Sequence, residues 1–199
     1  MTEHDQASIR PAIGDGADLF DDRALFYLQN RDLIEKWAGL HLDASLAAGR
    51  WLETLADQIT ELRAEWALWS GIAGKYRALF LCPVPATGDG PPGVGIGLAW
   101  NDTGVQPDRK GDSTSPFIGI RVNPEIGDTV LPFLDRVDAV DGHAYAVSSN
   151  WPRYHYITAP TRWWEHLDEY RAQLLDATRS IVRRYESALE EFASIRPRQ

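Results

Sequence analysis

Glu35, Asp102, Asp108 and Lys110 are the residue types that could act together on a phosphoester. Carboxylate oxygens hold Mg²⁺ or Mn²⁺, and a nearby lysine helps a metal-bound water lose its proton. Asp102, Asp108 and Lys110 all fall in the polar stretch 101–115 (NDTGVQPDRKGDSTS), between two apolar runs. Connections of that length are commonly functional. Acids in such a stretch also stay solvated without doing chemistry, and the expectation leans away from an enzyme.

Other reactive groups are scattered. His4, His41, His143, His155 and His166 form no HExxH pair and no close pair at metal-ligand spacing. The single cysteine, Cys82, excludes an intramolecular disulfide and sits in an apolar run beside Pro83, where a thiol is packing rather than a nucleophile. No GxSxG element is present. The run 93–97, GVGIG, would need glycine at 98 to form GxGxxG, and Leu98 stands there. Its alternation is that of a strand whose bare Gly95, Gly97 and Ala99 face lets a helix or a ligand approach closely, so a small-ligand sensor is a further reading.

A second constellation is recognition-like. SSNWPRYHY, residues 148–156, combines Trp151, Arg153, Tyr154, His155 and Tyr156. Trp, Tyr and Arg dominate interface hot spots, and Arg121 on a neighbouring apolar run adds another guanidinium. On a strand, Arg153 and His155 face one way and the tyrosines the other. Which pair meets solvent is open.

The elements that must position these groups follow from hydrophobic spacing. After a polar leader over 1–20, Asp21 and Asp22 suit a helix N-terminus, with Phe26, Leu33, Trp37 and Leu40 at helical spacing up to about 41. Asp43 then caps a second helix whose stripe, Ala48, Leu52, Leu55, Ile59, Leu62, Trp66 and Trp69, keeps heptad steps. A third spans 161–193 through Trp163, Leu167, Tyr170, Leu174, Ala177, Ile181, Tyr185 and Phe192. Between them the period is two, and strands are predicted at 76–82, 93–100, 117–122, 143–147 and 153–157. A short helix is predicted over 128–137, with Pro132 in its first turn.

The order of one helix and then three strands loosely resembles the PD-(D/E)xK nucleases. The resemblance implies Mg²⁺ or Mn²⁺ held by Glu35, Asp102 and Asp108, with Lys110 beside them. It departs where that pattern needs acid and lysine on adjacent strands, since 117–122 contains no acid.

Composition bounds the rest. The 199 residues carry a net charge of −9, with 44% hydrophobic and 25% charged residues, ordinary globular values. An acidic chain disfavours nucleic acid and anionic lipid and favours a partner with a basic surface. No run of eighteen apolar residues and no secretory leader is evident, so a cytoplasmic protein without a membrane partner is expected.

The expected fold is α+β: a small antiparallel or mixed sheet of about five strands packed against two N-terminal helices and one long C-terminal helix. Residues 21–199 form one domain in this reading, with a helical hairpin over 21–72, a sheet region over 76–157 and a C-terminal helix over 161–193. The expected function is a non-enzymatic protein-interaction module, regulatory or inhibitory and immunity-like, with no resident cofactor. Heptad stripes on the second and third helices leave a homo-oligomer open.

Overall fold

A computed structural model of the chain describes residues 21–85, 90–101, 115–142 and 145–195. The fold is α+β, a five-stranded antiparallel sheet with long N-terminal and C-terminal helices. Two compact units divide the chain, residues 1–43 and 44–199. Helix α1 (Asp22–Glu53) begins in the first, and its residues from Ala44 on belong to the second.

α1 starts where the acids predict: the Asp21 carboxylate accepts the Ala24 N–H at 2.8 Å. It does not break at His41–Asp43. The run 44–48, ASLAA, contains no proline, and its alanines favour continuing the helix over starting a new one at Asp43. In the first unit Phe26, Leu33, Trp37 and Leu40 are all exposed, as are Tyr27, Leu28 and Leu42.

In the second unit the predicted stripe holds only in part. Ala48, Leu52, Leu55 and Ile59 are buried in the core, the last on the short α2 (Ala56–Thr60). The chain then turns, with Leu62 N–H donating to Ile59 O at 3.1 Å and Trp66 N–H to Arg63 O at 3.0 Å. Residues expected to prolong the helix instead form β1 (Ala67–Ala73). The reason is a hairpin: Ala73 pairs with Tyr76 across Gly74 and Lys75, and Gly74 takes a φ of +69° that suits glycine. A seven-pair ladder from Ala67↔Cys82 to Ala73↔Tyr76 then outweighs helical spacing at Trp66 and Trp69.

The sheet continues as β2 (Tyr76–Cys82), β3 (Val94–Asn101), β4 (Phe117–Val122) and β5 (Arg153–Tyr156), in sequence order and antiparallel throughout. β1 supplies the fifth strand. Of the strand predicted at 143–147, His143 and Ala144 lie outside the described residues. Ala146 makes a single bridge to Tyr154.

One sheet face, carrying Leu79, Leu81, Ile96, Leu98, Trp100, Ile118 and Ile120, packs on α3 (Gly127–Asp141) and α4 (Leu167–Ile195). α4 buries Tyr170, Leu174, Ile181, Tyr185, Leu189 and Phe192 as the stripe requires. It begins at Leu167 rather than 161, because Arg162 is left-handed (φ 57°) and Trp163–Glu165 form a 3-10 turn. Pro132 falls in the second turn of α3, where the carbonyl it leaves unbonded belongs to Asp128 near the helix start. The heptad stripes of the second and third predicted helices are therefore spent largely within the chain: Leu52, Leu55 and Ile59 join the α4 residues in one core.

The opposite face is aromatic. Phe80, Phe117 and Trp151 are buried there, with Trp69, Tyr76, Tyr154 and Tyr156 packed around them. The glycines make room for these rings. A Cβ on Gly95 would lie 2.8 Å from Phe80 Cβ, and one on Gly119 would lie 3.1 Å from Trp151 Cε3. Rings of the same chain thus fill the space the sequence leaves bare. Among the described residues no helix is long and apolar enough to cross a membrane.

Candidate functional site

A tight turn positions the SSNWPRYHY stretch. Ser148 N–H donates to Trp151 O at 2.9 Å, and Val122 N–H donates to Asn150 O at 3.1 Å. Trp151 is thereby swung onto the aromatic face, edge-on to Phe117 at a centroid distance of 4.7 Å and to Tyr76 at 5.9 Å. β5 then alternates. Tyr154 and Tyr156 join the aromatic face, both half-buried, lying edge-on to Phe117 at 6.0 and 5.6 Å and to each other at 5.6 Å. His155 is exposed, whereas Arg153 retains 3% of its exposure.

Arg153 belongs to a buried polar cluster that joins β5 to α3 and α4. Its Nε donates to Asp138 and its Nη2 to Asp135 at 2.6 Å. Asp138 also accepts from Tyr185 Oη at 2.6 Å and Arg184 Nη2 at 3.2 Å. Arg184 in turn donates to the Gly142 carbonyl at the end of α3. Burial alone would raise the Asp138 pKa, but hydrogen bonds from Tyr185, Arg153 and Arg184 and the Arg153 charge outweigh it, and the carboxyl is held below its ordinary range. Burial and donation to Asp138 push Tyr185 up to about 12, which keeps it a donor. With Asp138 and Arg153 both sealed from solvent, this cluster ties β5 to α3 and α4, while Asp135 stays exposed.

Arg121 lies on the aromatic side of β4, two residues from Gly119, and donates to Pro92 O at 2.7 Å. Burial lowers its pKa. Arg121 and Arg153 therefore occupy opposite sheet faces and form no common cleft. Trp151, Tyr154 and Tyr156 do come together, on the Phe117 ring.

The residues expected to bind metal are not assembled within the described residues. Glu35, in the first unit, accepts from Arg31 Nε at 2.8 Å and Tyr27 Oη at 3.0 Å, and these bonds draw its pKa down. Asp102, Asp108 and Lys110 lie outside the described residues. Among the described residues no group of three or more His, Cys, Asp or Glu side chains is placed to hold a metal ion. Cys82 is buried, donates to Phe80 O at 3.5 Å, and burial pushes its thiol up to about 12.

Asp138 and Arg184 were not singled out by sequence reasoning, and Tyr185 was read only as part of the apolar stripe of α4. The available signal was an acid on an apolar stripe: Asp138 follows Val130 and Leu134 at steps of four, on the buried side of α3. An acid in that position must find a cationic partner. No family model, curated protein or solved structure matches this chain.

Proposed function

We propose that the chain is a non-enzymatic interaction module that binds another protein through the tyrosine-rimmed end of the sheet at β5. The observation that supports this reading is the pairing of half-buried Tyr154 and Tyr156 on one face of β5, backed by the buried Phe117 ring, which in turn packs on Trp151. Rings held in place by neighbours lose little freedom on binding, and tyrosine offers apolar area together with a polar tip. A net charge of −9 steers a basic partner toward the chain. A cytoplasmic regulatory or inhibitory role, immunity-like in charge logic, fits this reading.

Trp151 and Arg153 take a supporting part, since both are buried. The test is quantitative capture with Tyr154→Ala/Tyr156→Ala against the unaltered chain. Proteins retained only by the latter are then purified and titrated by calorimetry at two salt concentrations. Lost binding with the fold intact, and affinity that weakens with salt, is expected. Undiminished binding by the double variant removes this surface from the reading.

A further inference from the structure

The two edges of the sheet are built differently. β5 carries Arg153 and His155, and Ala146 bridges its outer side at Tyr154. β1 (ALWSGIA) contains no charged residue and no proline, and no described strand lies beyond it. Apolar edges are usually blunted by charge, proline or a covering element, because their backbone groups template another strand. Among the described residues of the five strands, Ile72 of β1 is the only exposed large apolar side chain, at 49%.

Hairpin geometry fixes which groups that edge offers. Ala73 and Tyr76 close a two-residue turn, so Ala67, Trp69, Gly71 and Ala73 direct their N–H and C=O groups at β2. Leu68, Ser70 and Ile72 direct theirs outward.

We propose that β1 pairs with β1 of a second copy, antiparallel, about a two-fold axis through Ser70. The inference does not depend on the β5 surface, which lies at the opposite edge of the sheet. In this register the two Ser70 residues exchange backbone hydrogen bonds, and Leu68 of each copy does the same with Ile72 of the other. The strand is complementary to its own reverse: Leu68 covers the exposed Ile72 twice, and Ala67 meets Ala73. On the other side of the strand each Trp69 meets Gly71. The indole already leans over Gly71 of its own strand, where a Cβ would lie 2.7 Å from Cζ2, so the two indoles come side by side across the axis.

Charge at the strand ends favours a second copy in that direction. Just past β1, Lys75 is exposed, its Nζ 5.2 Å from the centre of the Tyr76 ring. Just before β1, the Glu65 side chain is 69% exposed and keeps a 3.6 Å contact to Arg63. Antiparallel pairing brings the Lys75 end of each copy to the Glu65 end of the other, whereas parallel pairing sets like charge beside like charge.

Analytical ultracentrifugation of the full chain, together with amide hydrogen exchange, tests the proposal. Twice the 22.3 kDa chain mass is expected at tens of micromolar, with exchange at Leu68, Ser70 and Ile72 slowing as concentration rises. Ser70→Pro removes an outward N–H and spares the ladder to β2, so a folded monomer is expected. Ser70→Lys and Ser70→Glu each set like charges across the axis and should weaken the dimer about fivefold. Their equimolar mixture should recover, because lysine then faces glutamate; these two variants decide the matter should the proline variant not fold. A monomeric unaltered chain overturns the proposal. So does a dimer that both charged variants form as tightly as the unaltered chain. Weakened variants that fail to recover on mixing overturn the two-fold register through Ser70.

Discussion

Replacing Asp138 with alanine removes the one carboxylate that Arg153, Arg184 and Tyr185 share, and it leaves two guanidinium groups to be satisfied in the interior. The Asp138 and Arg153 side chains are 1% and 4% exposed, so water cannot substitute for the lost partner. Removing one member of a buried ion pair costs about 3–5 kcal/mol. The lower end applies here: Arg153 keeps Asp135 at 2.6 Å and Arg184 keeps the Gly142 carbonyl. About 3 kcal/mol corresponds to a fall of about 6–12 °C in melting temperature for a unit of this size.

Urea denaturation followed by tryptophan fluorescence reads the loss directly. Tyr185→Phe, which removes a single donor to a charged group, should cost about 1.5–3 kcal/mol. In the double variant the two losses should not add, because both act on the same oxygen. The acid limb carries a separate signature. A carboxyl whose folded pKa is depressed contributes stability that is fully present above its unfolded pKa, about 3.9, and is lost as pH falls through the folded value. Asp138→Ala should therefore flatten the stability profile below about pH 4. A variant within about 1 kcal/mol of the unaltered chain, with the same acid limb, refutes the clamp.

Two further outcomes follow from the aromatic face. Trp151→Ala should lower stability by about 3–5 kcal/mol in chemical denaturation, because a buried ring is deleted beside Phe80 and Phe117; a change below about 1 kcal/mol would place that ring outside the core. Cys82 should resist a thiol reagent at pH 8 in the folded chain and react on unfolding, as its buried thiol is pushed up to about 12. Rapid labelling of the native chain would contradict this.

Much of the architecture was legible. α4 could be read from its stripe because one face is buried along its length, and β2, β3 and β4 from runs that the sheet buries. β1 was not legible: residues 59, 62, 66 and 69 keep helical spacing whether or not the chain turns between them. Its pairing with β2 is a ladder property that periodicity does not carry. The two faces of the SSNWPRYHY stretch were legible, but the burial of its parts was not. Trp151 and Arg153 look like the strongest anchors by residue type and are buried.

What the sequence by itself determined is the alternation of apolar and polar residues, and with it the α+β class, most strand positions and the two faces of β5. Period-two geometry separates Arg153 and His155 from the tyrosines however the chain folds. Only the tertiary structure decided which of those side chains is sealed: Arg153 is buried, His155 on the same face is exposed. Arg153 is buried because Asp138, 15 positions before it, and the neighbouring Arg184 and Tyr185, 46 and 47 positions beyond Asp138, converge on one point. Charge pairing in the interior depends on that convergence, and no local pattern of residues encodes it.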